Sequence, residues 1–231
     1  MEISFKNKTV LITGASEGIG FAAAAAFGKS GANVAICGRN AEKLEKAENS
    51  LKEMGIKTYA QTCDVSKTQQ FRDFADNTEK NLGPIDIFIN NAGYMPFVLL
   101  KDMDEEMLDT IMNINLKSVF VGSKIAFEKM KDRGGVIINA SSFASVIPTV
   151  GYTAYAAAKA AVSSLTRTSA SEFAPYGIRV LGYIPGFIDT ALTKESQQIN
   201  GEKLLEPISL RRYGNPDDIA GTLLFMASDL A

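Results

Sequence analysis

Tyr155 and Lys159 stand four residues apart in the stretch YTAYAAAKAAVSSL that runs from Tyr152 to Leu165. Four residues make about one helical turn, so on a helix both side chains leave the same face. An ammonium beside a phenol favours the phenolate and lowers a pKa that starts near ~10. That arrangement makes Tyr155 a candidate proton donor and acceptor near neutral pH. By itself the same run also reads as an Ala-rich packed helix, with a Tyr at its edge and a Lys reaching water. Elsewhere the chain narrows the chemistry. It contains no histidine, which removes mechanisms that need an imidazole base and most catalytic zinc sites. Its two cysteines, Cys37 and Cys63, form neither a close metal-ligand pair nor a disulfide framework. Each is expected at the end of a buried strand, in a reduced cytosolic setting. No metal is expected.

The elements that must position this pair follow from the pattern of the chain. Lys8 to Thr13 is a short β-branched run, followed by Gly14-Ala15-Ser16-Glu17-Gly18-Ile19-Gly20 and the helix former FAAAAAFGKSG. This is strand, Gly-rich turn, helix. Gly14 permits a tight turn, and Gly18 and Gly20 let the backbone approach a diphosphate at the positive end of the helix. Asn33 to Cys37 reads as a second strand, and Gly38-Arg39-Asn40 follows it. In dinucleotide-binding folds a carboxylate at this place bonds the 2′-hydroxyl of NAD, whereas an arginine can accept the 2′-phosphate of NADP. Gly38 with Arg39 therefore points to NADP, with NAD second; a solvated charge at a helix start is the plain alternative for Arg39.

Further strands are expected over Lys57 to Thr62, Ile85 to Ile89, Gly135 to Asn139 and Ile178 to Tyr183. Amphipathic helices separate them at 41–54, 68–82, 104–131 and from Tyr152 to near Tyr176. A last helix is expected from about Asp217 to Ser228. Such alternation argues for an α/β protein: a Rossmann-type, doubly wound parallel sheet with helices on both faces, a three-layer sandwich. Asn90 lies just past a strand's carboxyl end, where ligands bind in such sheets, although an Asn there also suits a turn or cap. One domain over 1–231 is the economical organisation.

Composition excludes other classes. Hydrophobic residues make up 46% and charged residues 22%, with a formal net charge of −2. Nothing here steers the chain toward nucleic acid or an anionic membrane. The longest apolar runs are far too short to span a bilayer, and the N-terminus lacks the form of a signal peptide. A cytoplasmic protein is expected.

Five elements, taken in order, resemble the short-chain dehydrogenase/reductase family. They are Thr13-Gly14-x-x-x-Gly18-x-Gly20, Asn90-Asn91-Ala92-Gly93, Asn115, Ser142 with Tyr155-x-x-x-Lys159, and Pro185-Gly186 with Thr190. Ser142 precedes Tyr155 by thirteen positions, the usual family spacing. Within the family the stretch Pro185 to Thr190 and the Tyr155 helix look most like β-ketoacyl-carrier-protein reductases and generic carbonyl reductases.

The resemblance implies reversible hydride transfer between NADP(H) and a carbonyl/alcohol pair, on a small-molecule or acyl-carrier substrate. It implies Tyr155 as acid/base, Lys159 as its electrostatic partner and a ribose ligand, Ser142 as holder of the substrate oxygen, and Asn115 as the anchor of a relay water. Cofactor contacts carried over are Gly14, Ala15, Ser16, Glu17 and Ile19 at the diphosphate turn, and Arg39 at the 2′-phosphate. Asp64 and Val65 flank the adenine, Asn90 lies beside the ribose, and Ile188 and Thr190 meet the carboxamide. Family members commonly form homotetramers through the helices carrying Asn115 and Tyr155.

Two departures stand out. Glu17 occupies a place where NADP-preferring members often carry a basic residue, so cofactor choice rests on Gly38 and Arg39. The chain also ends before the family's last strand; either the sequence is truncated, the favoured expectation because losing that strand would expose a sheet edge, or this member lacks it. The polar segment Leu192 to Glu206 is expected to close over the substrate. A fold that has lost catalysis and serves as a nucleotide sensor or scaffold is the rival reading, weakened by the presence of Asn115, Ser142, Tyr155 and Lys159 together.

Overall fold

A computed structural model describes residues 3–231, apart from the side chains of Asn200 and Glu202. The first unit follows from the β-branched run TVLIT. It forms strand β1 (Thr9–Thr13), every residue of which is buried. The glycine turn then opens helix α1 (Gly18–Lys29), whose small residues Ala22 to Ala25 are buried against the sheet. Strand β2 (Asn33–Gly38) and helix α2 (Ala41–Glu53) come next. Strand β3 (Thr58–Thr62), helix α3 (Thr68–Leu82) and strand β4 (Ile87–Asn90) complete the first half.

The second half repeats the alternation. Helices α4 (Glu105–Met112) and α5 (Ser118–Met130) are joined by a π-helical turn over Asn113–Lys117. Strand β5 (Gly135–Ala140), helix α6 (Thr153–Phe173) and strand β6 (Ile178–Tyr183) follow. The last helices are α7 (Lys194–Asn200) and α8 (Pro216–Ala227). The stretch expected to be merely polar, Leu192 to Glu206, is thus largely helical. A seven-residue helix with only polar residues and one Ile, KESQQIN, carries too short a pattern to be read as one.

All six strands are parallel, in the order β3-β2-β1-β4-β5-β6. The order reverses between β1 and β4, and ligands bind outside the carboxyl ends of the strands at such a switch point. Alternate residues of each strand feed two cores. Val10, Ile12, Val34, Ile36, Ile87 and Ile89 pack with α1, α2 and α8 on one face. Leu11, Ala35, Phe88 and Ile137 pack with α3 and α5 on the other. These are the expected three layers, and no helix among the described residues is long and apolar enough to cross a membrane.

Cys37 and Cys63 are both free and buried. Cys37 lies near the end of the buried strand β2 as expected, whereas Cys63 follows β3, a strand whose residues are half-buried to exposed; the parallel pairing of β2 with β3 carries Cys63 toward Cys37. Burial, and then the neighbouring Cys63 thiol, push the Cys37 thiol up. A pairing across 26 residues is set by strand register, which spacing along the chain does not reveal. No group of three or more metal-ligating side chains occurs among the described residues.

Candidate active site

The switch point is held open by glycines and stitched by amides. Gly14 and Gly18 adopt left-handed φ values of +64° and +61°. A Cβ on Gly14 would lie 2.8 Å from Ala92 Cα, and one on Gly18 would lie 3.1 Å from Thr190 Cγ2. The turn therefore presses against the loops that follow β4 and β6. Thr13 Oγ1 accepts the N–H groups of Asn91 and Ala92, each at 3.0 Å. Asn91 Nδ2 donates to the carbonyls of Thr13 and Gly14, and the Tyr183 hydroxyl donates to Asn91 Oδ1 at 2.8 Å. Glu17, the residue before α1, makes no side-chain cap. The first turn of α1 is left facing a cleft, the arrangement that receives a phosphate anion.

That cleft has a volume of about 440 Å³. Of the residues expected to touch a cofactor, Gly14, Ser16, Glu17, Ile19, Arg39, Asp64, Val65 and Thr190 line it. Ala15 is fully buried and donates its N–H to the Cys37 carbonyl, so it shapes the turn from behind. Asn90 does not turn its side chain into the cleft. Its Nδ2 donates to Asn139 Oδ1 at 2.9 Å, and Asn139 Nδ2 donates to Thr166 Oγ1 at 3.0 Å, a buried chain tying β4 to β5 and α6. Asn91 and Gly93 line the cleft in its place. The cradle of missing Cβ atoms and the open helix start fit a dinucleotide.

Helix α6 brings the second set of side chains to the same edge. Its small residues Ala154, Ala158 and Val162 are buried, which lets it lie close to the end of β5. Ser141 Oγ donates to the Lys159 carbonyl at 3.0 Å and shares a hydrogen bond with Ser163 Oγ at 2.7 Å. In return Lys159 Nζ donates to the Ala140 carbonyl at 2.8 Å. Ser142, Tyr155 and Lys159 converge here, each no more than 5% exposed. Tyr155 and Ser142 share the wall of one small cavity, and Lys159 Nζ lies 5.6 Å from the centre of the Tyr155 ring.

The electrostatics differ from the expectation. Burial raises the Tyr155 phenol above its ordinary value, and the neighbouring Ser142 hydroxyl opposes it. Burial also pushes the Lys159 ammonium down to about 8. Spacing gave the sign of the ammonium–phenol interaction but not the depth of the two groups inside the protein, and desolvation sets the direction for both here.

Asn115 is fully buried within the π-helical turn. Its Nδ2 donates to the carbonyls of Tyr94 and Ile111, and its Oδ1 accepts the Tyr94 N–H at 3.1 Å. The π-turn is what lets an interior amide take a helix carbonyl for itself. A Cβ on Gly93 would lie 3.3 Å from Asn115 Oδ1 and 4.0 Å from Lys159 Nζ, so the glycine keeps a gap between these two side chains.

A second cavity of about 60 Å³ adjoins the first, with Ser142, Tyr155, Tyr152, Ile188, Thr190 and Ser196 among its walls. Ile188 stands here and not in the larger cleft. Helix α7 covers this cavity. Its Ser196 shares a hydrogen bond with the Tyr152 hydroxyl, and Glu195 accepts the Phe97 N–H at 3.3 Å. Phe97 meets the Tyr152 ring edge-on at 5.6 Å. Tyr152 and Ser196, which the sequence reading did not single out, thus join the covering helix to the start of α6.

Comparison with known proteins agrees with this geometry. A family model described as short chain dehydrogenase matches residues 8–200. The 3-oxoacyl-[acyl-carrier-protein] reductase FabG of Staphylococcus epidermidis is 35% identical over 227 residues, covering 97% of this chain and 93% of that protein. Among solved structures, a short-chain type dehydrogenase/reductase from Mycobacterium marinum superposes with a TM-score of 0.93 at 35% identity, over 98% of this chain and 91% of that one. A putative NAD(P) dependent gluconate 5-dehydrogenase from Beutenbergia cavernae, with NADP bound, gives a TM-score of 0.93 at 27% identity, over 100% of this chain and 93% of that one.

Proposed function

This chain is a member of the short-chain dehydrogenase/reductase family and an oxidoreductase, and from that premise we propose that it reduces a carbonyl to a secondary alcohol with NADPH, on a 3-oxoacyl thioester carried by acyl carrier protein. The observation that carries the proposal is that Tyr155 and Ser142 line one small cavity beside the cleft, with Lys159 Nζ 5.6 Å from the centre of the Tyr155 ring. The named relatives that are 3-oxoacyl-[acyl-carrier-protein] reductases support the substrate class.

The nicotinamide cofactor, when bound in the cleft, supplies the hydride. The chain does the rest. Ser142 and Tyr155 together hold the carbonyl oxygen and stabilise the charge that develops on it. Tyr155 gives its proton to that oxygen as the alkoxide forms. A phenol raised by burial is a firm proton holder, so it needs help to release. The Lys159 ammonium over the ring face supplies that help, because a neighbouring positive charge stabilises the phenolate left behind. Gly93 places no side chain between Asn115 and Lys159, and a water bound there would reprotonate Lys159 and Tyr155. Asn115 holds this arrangement by fastening the Tyr94 backbone to α4.

Gly38 and Arg39 favour NADP over NAD, since no carboxylate follows β2 to bond a ribose hydroxyl. The test is NADPH oxidation with a 3-oxoacyl thioester, beside simple ketones. Turnover of the thioester well above that of the ketones supports the reading; turnover of the ketones alone overturns the substrate class.

A further inference from the structure

The end of the cleft that faces α2 contains a cation whose place is set by an anion. Lys43 lies in the first turn of α2 and lines the cleft together with Arg39, Ser16 and Glu17. Its Nζ donates to both carboxylate oxygens of Glu17, at 2.9 and 3.1 Å. A cation at a helix N-terminus is disfavoured by the helix dipole, so something negative must offset it. In the free protein Glu17 does so. This pair is about half exposed on each side, and an exposed ion pair contributes little because water screens it. It is easily exchanged for a stronger anion.

The surrounding groups select what that anion is. Asp64, the other carboxylate at this end, is already bonded to the Ser66 N–H and hydroxyl through Oδ1. A Cβ on Gly38 would lie 3.1 Å from Ser16 Oγ, so a side chain at the end of β2 would crowd the glycine turn. The Asn40 side chain is engaged by the Lys43 N–H as the cap of α2. What remains to meet a ligand is the Arg39 guanidinium and the Lys43 ammonium, which line the same cleft at the start of a 13-residue helix.

We infer that Lys43 is the second cation for the 2′-phosphate of NADP(H), and that Glu17 is its counter-ion in the free protein and the competitor that limits phosphate affinity. The inference rests on the cofactor assignment above and deepens it. It also removes the difficulty raised by an acidic residue in the glycine turn. Glu17 does not face the phosphate as an uncompensated charge; it holds the lysine in position and gives it up when a dianion, carrying about −1.5 to −2 near neutral pH, arrives.

The experiment is equilibrium binding of NADPH and NADH to the parent protein and to Lys43→Met and Glu17→Gln, at two salt concentrations. For Lys43→Met the preference for NADPH over NADH should fall roughly tenfold, the scale of one charge-assisted hydrogen bond. Its NADPH affinity should also become less salt-dependent. Glu17→Gln should raise the preference by several-fold. A preference unchanged in Lys43→Met, with the parent still favouring NADPH, overturns the role of Lys43 and leaves the cofactor assignment standing. A parent that does not favour NADPH overturns both.

Discussion

Lys159 stands over the face of the Tyr155 ring, its Nζ 5.6 Å from the ring centre, while its hydrogen bond goes to the Ala140 carbonyl. The ammonium thus acts on the phenol through space and is itself anchored to β5. Both groups are buried, and each is pushed toward its neutral form.

Stability should carry the mark of that burial. The Lys159 value of about 8 lies below its ordinary 10.5, so between these values the unfolded chain binds more proton than the folded one. Stability therefore rises with pH across that window. Tyr155 and Tyr183 are both raised by burial and act in the opposite direction once unfolded tyrosines ionise, near ~10. Urea melts are expected to show a gain from pH 8 to about 10, and a loss above it. The penalty at pH 7 amounts to roughly 3 kcal/mol. Lys159→Met should be more stable than the parent at pH 7 and should lack the rise.

Asn115 satisfies three backbone groups at once. Asn115→Ala leaves the Tyr94 N–H and the carbonyls of Tyr94 and Ile111 without partners in the interior, a loss on the order of 2–4 kcal/mol. Chemical denaturation measures it. Activity should fall further than stability explains, because the Gly93–Tyr94 backbone walls the cofactor cleft.

Gly18→Ala places a methyl group 3.1 Å from Thr190 Cγ2 at a φ of +61°. Strain at such a position costs about 1 kcal/mol or more. The change is expected to weaken NADPH binding by about tenfold with only a modest shift in Tm. Titration of the cofactor by fluorescence decides it.

Tyr152→Phe removes the hydroxyl that ties α6 to Ser196 of α7. The covering helix should then open more readily, by about 1 kcal/mol. Hydrogen exchange is the direct readout: amides of residues 194–200 should exchange several-fold faster, while those of β4 and β5 keep their protection.

Legibility of the sequence differed by kind of feature. Runs such as TVLIT and IRVLGY announce strands because burial on both faces demands β-branched and aliphatic residues, and their ends fell within two residues of the observed ones. Tyr155, Lys159 and Ser142 were legible because a helix turn and a family spacing place them together. The Glu17–Lys43 pair was not, since Glu17 sits in the turn before α1 and Lys43 on α2, and the two meet only once the turn and α2 are brought together at the sheet edge. The π-turn at Asn115 was read as ordinary helix, because no composition marks a widened turn. The raised Tyr155 phenol was also out of reach, for it depends on how deeply the side chain is buried.

The most direct measurement is made on Tyr155→Phe. The hydroxyl is the proton donor of the proposed reaction, and the ring makes the packing contacts in the buried site. The variant is expected to bind NADPH within a few-fold of the parent and to lose roughly a thousandfold or more in turnover of a 3-oxoacyl thioester. Turnover near the parent's, with the cofactor bound, would contradict the assignment of Tyr155 as the acid/base of this site.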